Sequence, residues 1–376
     1  MKIYLVGGAV RDELLGLPVK ERDWVVVGAT PADMSRLGYR QVGKEFPVFL
    51  HPKTGEEYAL ARMERKIGPG YKGFAFDTSP QVTLEEDLIR RDLTINAMAE
   101  TPEGKLIDPY HGQQDLQNRW LRHVSSAFAE DPVRILRVAR FAARYYALGF
   151  RIAPETMDLM RAMVASGEVN ALVAERVWKE LERALSEKNP EVFFQVLAEC
   201  NALPILFPGL NAAGPGISAL QAAVKITTDT SIRFAALLYA YPEGDSAKDP
   251  KKSITELSDR YRVPALFREL SLIAALYYSP VLGGHELSAE KILELLQKTD
   301  AFRREERFNK FLEVCVAIAY SQRKSFDLAW WKKIHEAAKL VDTEELVKAG
   351  LVGLDFAKQL QQQRLEKINA VFIKKR

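Results

Sequence analysis

Two acids two residues apart, Glu21 and Asp23, open a stretch of β-formers, Trp24-Val25-Val26-Val27. In an extended backbone residues i and i+2 share a face, so this spacing sets both carboxylates side by side. Just upstream, Leu5-Val6-Gly7-Gly8-Ala9-Val10-Arg11-Asp12 reads as a strand, a Gly-Gly turn and a helix. Outward N–H groups at such a turn, the positive helix end and a bidentate guanidinium at Arg11 suit a phosphate. Two carboxylates beside a phosphate cradle make up a Mg²⁺-dependent phosphoryl-transfer site. Taken singly, each feature is more often a plain turn or a solvated strand end. Their order and close spacing favour the chemistry.

Three further groups bear on it. Glu57 follows the turn Pro52-Lys53-Thr54-Gly55 and alternates with Ala59 and Ala61. It either brings a third carboxylate toward Glu21 and Asp23 or is an edge-strand surface residue. Arg90-Arg91-Asp92 offers phosphate and hydroxyl contacts in one block, or a charged helix face. In Glu130-Asp131-Pro132-Val133-Arg134, proline suits the first helical position and Asp131 its N-cap. Arg134, Arg137, Arg140 and Arg144 then recur at helical spacing with few acids nearby, a cationic stripe suited to a nucleotide or nucleic acid. Other basic clusters, at Lys251-Lys252, Arg303-Arg304, Lys332-Lys333 and Lys374–Arg376, read as solvated faces. The five histidines have no metal-ligand spacing.

The positioning elements are mixed α/β up to about residue 63. Strands are expected at Lys2–Val6, Asp23–Val27, Phe46–His51 and Glu57–Ala61, with helices at Ala9–Leu17 and Pro31–Leu37. Glu64 to Pro80, rich in glycine around Gly68-Pro69-Gly70, reads as a loop, either a lid or a plain connection. Leu84 to Glu100 has helical spacing, Asp108–Gly112 is a turn, and Asp115-Leu116 opens a short helix. From about 150 onward the pattern is helical almost throughout. Loops interrupt it at 211–218 and 241–252, and breaks fall at Gly283-Gly284 and Gly350–Gly353.

At 376 residues, more than one core is expected. With 47% hydrophobic and 27% charged residues the composition is that of a globular chain rather than a disordered one. Cys200 and Cys315 stand far apart, which fits a reducing cytoplasm and no disulfide framework. No signal peptide and no apolar run of about 18 residues is apparent, so no membrane association is expected. A net charge of +3 permits an RNA partner without calling for one.

The ordered blocks resemble those of bacterial class II tRNA nucleotidyltransferases, the CCA-adding enzymes, whose superfamily also includes bacterial poly(A) polymerases. The matching blocks are Gly7–Asp12 with the paired acids, Arg90–Ala97, Asp108–Gly112 through Leu116, Glu130–Arg134, and Glu175-Arg176 with Glu180. The similarity is close up to residue 210 and returns weakly near 348–371. The resemblance implies an α+β protein with a small mixed-sheet head (1–124), a helical nucleotide-selecting neck (125–190) and a helical body and tail (191–376). It implies a monomer that grips the acceptor–T arm of tRNA and takes CTP and ATP. Glu21 and Asp23 would ligate two Mg²⁺, with Glu57 as the third acid. Gly8, Arg11 and Arg91 would hold the phosphates and Asp92 the ribose. Asp131 and Arg134 would read the base, and Arg137 and Arg140 would buttress that pair. The loop after Glu64 would act as a lever in switching from C to A.

Two departures stand out. The family has aspartate where this chain has Glu21, and the extra methylene moves the carboxylate by about 1.5 Å. Close relatives carry a His-Asp pair of a metal phosphohydrolase after a helix like Ile232–Leu238, where this chain has Tyr239-Ala240. That second activity is expected to be absent. An A-adding enzyme, a poly(A) polymerase and a non-catalytic RNA-binding relative are the alternatives.

Overall fold

The computed structural model describes residues 1–42, 48–66, 74–244 and 249–373. The chain forms two compact units, Met1–Leu206 and Phe207–Arg376. The expected head and neck therefore share one unit with residues 191–206.

In the first unit the strands are β1 (Lys2–Val6), β2 (Asp23–Val27), β3 (Arg40–Gln41), β4 (Val48–Leu50), β5 (Glu57–Leu60), β6 (Met63–Lys66), β7 (Phe74–Asp77), β8 (Ala99–Glu100), β9 (Leu106–Ile107), β10 (Trp120–Leu121) and β11 (Arg151–Ile152). Seven of them make a mixed sheet in the order β3-β4-β5-β2-β1-β8-β9. β1 runs antiparallel to β2 and β8, whereas β2 and β5 are parallel. Period-two alternation sorts the side chains: Val6, Val25 and Ala61 pack on one face, and Val26, Phe49, Tyr58 and Leu60 on the other.

The helices of this unit are α1 (Gly8–Leu14), α2 (Pro31–Arg36), α3 (Leu84–Ile89), α4 (Gly112–Asn118), α5 (Val133–Tyr145), α6 (Pro154–Ala165), α7 (Ala174–Ser186), α8 (Glu191–Glu199) and α9 (Leu203–Leu206). Capping boxes start α2 at Thr30/Asp33 and α3 at Thr83/Glu86. α1 stops at Leu14 rather than Leu17, because Gly16 turns left-handed at φ 66°.

Two other expectations are corrected. The helical spacing from 84 to 100 yields a helix only to Ile89, then a 3₁₀ turn (Thr94–Asn96) and β8. Residues 92–99 are all buried, so their apolar spacing carries no period. The Asp92 carboxylate also takes the Leu93 N–H at 2.9 Å, drawing it away from a helix. The stretch read as a loop from Glu64 holds the antiparallel pair β6–β7. Its glycine-rich residues 67–73, and Phe46-Pro47 before β4, lie outside the described residues.

The second unit is helical: α10 (Pro215–Ile226), α11 (Thr230–Leu238), α12 (Pro250–Tyr261), α13 (Ala265–Leu282), α14 (Ala289–Lys298), α15 (Glu305–Ser321), α16 (Leu328–Lys339), α17 (Thr343–Lys348) and α18 (Gly353–Ile373). Its core joins Ala219, Ala223, Leu270, Leu296, Phe311 and Trp331. Tyr239 is buried and stacks edge-on against Tyr278. Contrary to expectation, α13 is long and apolar enough to cross a membrane, at mean hydropathy 1.2. Its Leu270, Ala274 and Val281 lie in the core and it packs against α11, α12 and α15, an ordinary use of such a helix.

Gly112 shows how tightly the first unit is closed. A Cβ there would sit 2.4 Å from the Thr94 carbonyl oxygen and 2.8 Å from Met98 Cγ. Gly112→Ala should therefore destabilise by about 1–3 kcal/mol, the range for overpacking. Equilibrium denaturation checks this; an unchanged midpoint would mean that the backbone yields without strain.

Candidate active site

The acids come first. β2 and β5 pair with Asp23 opposite Glu57, so the two carboxylates stand side by side at one sheet end. Glu21 lies outside this ladder, because β1 ends where Gly7 turns at φ 71° and leaves residues before Asp23 unpaired. It remains near enough to act on Asp23. Burial raises the Asp23 carboxyl, Arg91 opposes the rise, and Glu21 adds to it. Among the described residues, no three His, Cys, Asp or Glu side chains form a metal cluster. Mg²⁺ commonly takes one or two protein carboxylates and completes its shell with water and substrate phosphate. Asp23 and Glu57, with Glu21 close by, fit that donor set.

Asp23 and Glu57 open into a pocket of about 750 Å³. Ten of the eleven expected residues line it: Gly8, Arg11, Asp23, Glu57, Arg91, Asp92, Asp131, Arg134, Arg137 and Arg140; Glu21 does not. Ten arginines and five acids face this space, an excess of positive charge suited to a polyanion.

The arginines are held from behind. The expectation that few acids pair the α5 stripe is corrected, because the partners come from distant segments. Arg137 binds Asp92 at 2.8 Å, Arg140 binds Glu180 at 2.6 Å, and Arg144 binds Asp12 at 2.9 Å. Arg11 is buried, with contacts to Asp12 and Asn96 and the rings of Phe141 and Tyr145 each 5.2 Å away. Those contacts use two of its five N–H donors, and at 3% exposure Arg11 belongs to the floor of the pocket. Asp92 is likewise engaged by Leu93 N–H, Asn96 and Arg137. Burial alone would raise its carboxyl; Arg137 and the Asn96 hydrogen bond outweigh burial and hold it far below the usual range.

Arg91 is one-fifth exposed at the pocket and is oriented by Asp87, 3.1 Å away. Asp87 also pairs with Arg90 at 2.6 Å. Residue-type reasoning overlooked Asp87, although an aspartate three and four residues before two arginines signals a helical clamp. Gly7, read in the sequence as part of the Gly-Gly turn, has a second role: a Cβ there would lie 2.9 Å from Arg91 Nη1.

At the neck, Asp131 accepts the Val133 N–H at 3.2 Å, which caps α5 as the sequence suggests. Arg176 of α7 grips the same carboxylate with both terminal nitrogens, at 3.0 and 2.7 Å. Oδ1 thus receives two donors and Oδ2 one, leaving one Oδ2 lone pair for a further donor. Arg134 donates to the carbonyls of Ala127 and Arg90 at 2.7 and 2.5 Å, which fixes its plane.

With this geometry in place, the comparisons give its class. A family model described as the poly A polymerase head domain matches residues 3–122. One described as a probable RNA and SrmB-binding site of polymerase A matches residues 149–213. Fold and site together define a nucleotidyltransferase. The CCA-adding enzyme of Coxiella burnetii is 52% identical over 99% of this chain and 96% of its own length. That of Pseudomonas putida strain W619 is 51% identical, covering 98% of each. The multifunctional CCA protein of Thioalkalivibrio sulfidiphilus is 49% identical over 97% of both. The chain belongs to the bacterial CCA-adding enzyme family. A solved CCA-adding enzyme complex with ATP shares its fold at TM-score 0.72 and 24% identity, spanning 98% of this chain and 86% of that one. So does the Thermotoga maritima enzyme complexed with tRNA, at 0.69 and 21%, spanning 100% and 92%.

The Asp92–Arg137 pair yields a prediction with a defined pH sign. The folded carboxyl titrates below its unfolded value of about 3.9, so its stabilisation is complete above that value and fades as pH falls toward the folded one. Asp92→Asn should cost about 3–5 kcal/mol at pH 7 by leaving the guanidinium short of a counter-charge. That deficit should hold down to about pH 5 and narrow below about pH 4. Denaturation across pH tests this; a deficit that stays constant into acid would remove the ion pair as its cause.

Proposed function

We propose that this chain adds CCA to the 3′ end of tRNA from CTP and ATP without a nucleic-acid template, releasing pyrophosphate. The observation that carries the mechanism is that Asp23, Glu57, Arg91 and the Asp131–Arg134 pair all line one pocket. Glu21 and Asp23, with Glu57, would hold Mg²⁺. The ion supplies activation of the attacking 3′-hydroxyl and neutralisation of the triphosphate and leaving pyrophosphate. Arg91, oriented by Asp87 and cleared by Gly7, takes phosphate oxygens. Gly8 lets the backbone approach, and Arg11 supports the floor. Asp92 fixes the ribose side and, through Arg137, ties it to α5.

The remaining lone pair of Asp131 accepts the exocyclic amino group shared by cytosine and adenine. Arg134 donates to the ring acceptors beside it. Uracil and guanine place an acceptor where that amino group should be and leave the carboxylate unpaired. Arg137 and Arg140 keep the pair in plane from behind.

The head match alone suits a poly(A) polymerase equally well; the whole-chain identity favours CCA addition. Incubating tRNAs that end before, within and after CC with CTP, ATP and Mg²⁺ separates the possibilities. Three nucleotides followed by a stop are expected. A long A tract would identify a poly(A) polymerase, and refusal of CTP an A-adding enzyme.

Asp23→Ala should abolish incorporation while tRNA binding persists, whereas Glu21→Asp should keep or raise activity. Full turnover by the first variant would exclude the two-metal assignment. Asp131→Ala and Arg134→Ala should relax discrimination against UTP and GTP by up to about 10⁴. Arg176→Ala, which frees Asp131, should relax it less, by about tenfold. Folded Asp131→Ala and Arg134→Ala proteins that still reject UTP and GTP would reduce Asp131 to a helix cap, worth about 1 kcal/mol.

A further inference from the structure

Arg90 heads the block Arg90-Arg91-Asp92 and has no part in the chemistry proposed so far. Its guanidinium is turned onto another segment. Nη2 donates to Asp87 Oδ1 at 2.6 Å, and Nε donates to the Arg62 carbonyl at 3.0 Å. The same Asp87 oxygen accepts the Arg62 N–H at 3.2 Å. One ion pair thus takes up both backbone polar groups of one distant residue. Arg62 is where the chain leaves the central sheet: Ala61 still donates to the Val26 carbonyl at 2.8 Å, and β6 begins at Met63. Asp87 is 1% exposed. Burial pushes its carboxyl up, and Arg91 and Arg90 outweigh this and bring it below its ordinary value.

An ion pair three residues apart is ordinary near the end of a helix. Helix stability does not explain why the pair also clamps the backbone of another segment. The base-reading residue stands on the far side of this clamp. The Arg90 carbonyl is one of the two that brace Arg134, at 2.5 Å. The second brace, the Ala127 carbonyl, also refers back to α3. Ser125 Oγ donates to the Ile89 carbonyl at 2.9 Å and accepts the Ala127 N–H at 3.3 Å. Both braces of Arg134 therefore lean on the last residues of α3 and its cap. The clamp on Arg62 ties that end to the paired strands β2 and β5, which carry Asp23 and Glu57.

We propose that Arg90 is a positioning residue for base selection. By clamping Arg62 it holds the end of α3, and with it Arg134, in fixed register with Asp23 and Glu57. It acts through Arg134 rather than by touching the base. The inference rests on the base-reading role of Arg134 given above and adds the side chain that sets it. A contact group is as selective as its support is rigid. Without the clamp Arg134 can shift, and the mismatch that UTP and GTP meet is relieved.

The test assays full-length variants on tRNA lacking its 3′ end, with kcat/KM measured for CTP and for UTP. Arg90→Lys keeps a charge beside Asp87 but loses the planar fork that serves two fixed acceptors. It should lower the CTP-to-UTP ratio about tenfold, the worth of a hydrogen bond to a charged group. A residue that only supports the fold would slow both nucleotides alike and leave the ratio as in wild type. Coupling supplies a second arm. In the Arg134→Ala background, Arg90→Lys should lower the ratio no further, because the brace has no guanidinium left to set. Asp87→Asn keeps an acceptor for the Arg62 N–H while removing the charge. It should lower the ratio too and, through Arg91, raise KM for CTP. An unchanged ratio in either Arg90→Lys or Asp87→Asn would overturn the proposal, as would additive effects of Arg90→Lys and Arg134→Ala. If Arg134→Ala rejects UTP as strictly as wild type, the base-reading role fails and this inference fails with it. A relaxed Arg134→Ala beside a strict Arg90→Lys would remove the positioning role alone.

Discussion

Ten arginines around one pocket must be kept from repelling one another when no polyanion is present. The buried acids meet this constraint. Asp12, Asp87, Asp92 and Glu180 are each at most 6% exposed, and each grips at least one guanidinium. A buried charge left without its partner is strongly unfavourable, so these pairs fix where the arginines sit. Unpaired, flexible lysines would also supply positive charge, but without a set plane or spacing. Here the pocket retains a net positive field and a rigid geometry together.

The same pairs connect the sheet side of the unit to its helices. Asp12 at α1 receives Arg144 and the Tyr145 hydroxyl from α5. Asp92, just past α3, receives Arg137 of α5, and Arg140 of α5 meets Glu180 of α7. α1, α5 and α7 and the segment after α3 are therefore cross-linked by buried ion pairs. On the proposed reading, a triphosphate held at Arg91 would present its base toward Asp131. Placing groups in advance in this way removes much of the entropic barrier to a two-substrate reaction.

How much of this was legible in the sequence depended on range. Lys2–Val6 and Asp23–Val27 were readable to the residue because alternation and a Gly-Gly stop are local signals. The two-residue strands β3, β8, β9, β10 and β11 were not, since a period of two cannot show in two residues. Segment 92–99 was misread because burial on all sides erases periodicity. The site residues were recognisable by type, and ten of eleven converge. Their partners were not recognisable, since Arg137 and Asp92, or Asp131 and Arg176, are joined only by the fold. An arginine stripe that looks unpaired along the chain is paired across it.

That distinction governs how a protein can replace a template base. A free carboxylate offers about four acceptor sites and rotates, so it would accept donors from many directions and discriminate poorly. Asp131 has lost that freedom to Val133 N–H and to both arms of Arg176. What remains is one acceptor in one direction, which under the proposed role would match a single Watson–Crick position. Arg134, braced on two backbone carbonyls, is restricted in the same way on the donor side. Under the proposed role, specificity for an amino group over a carbonyl would need no additional contact to the base. It follows from leaving the wrong base facing a pair that cannot turn to meet it.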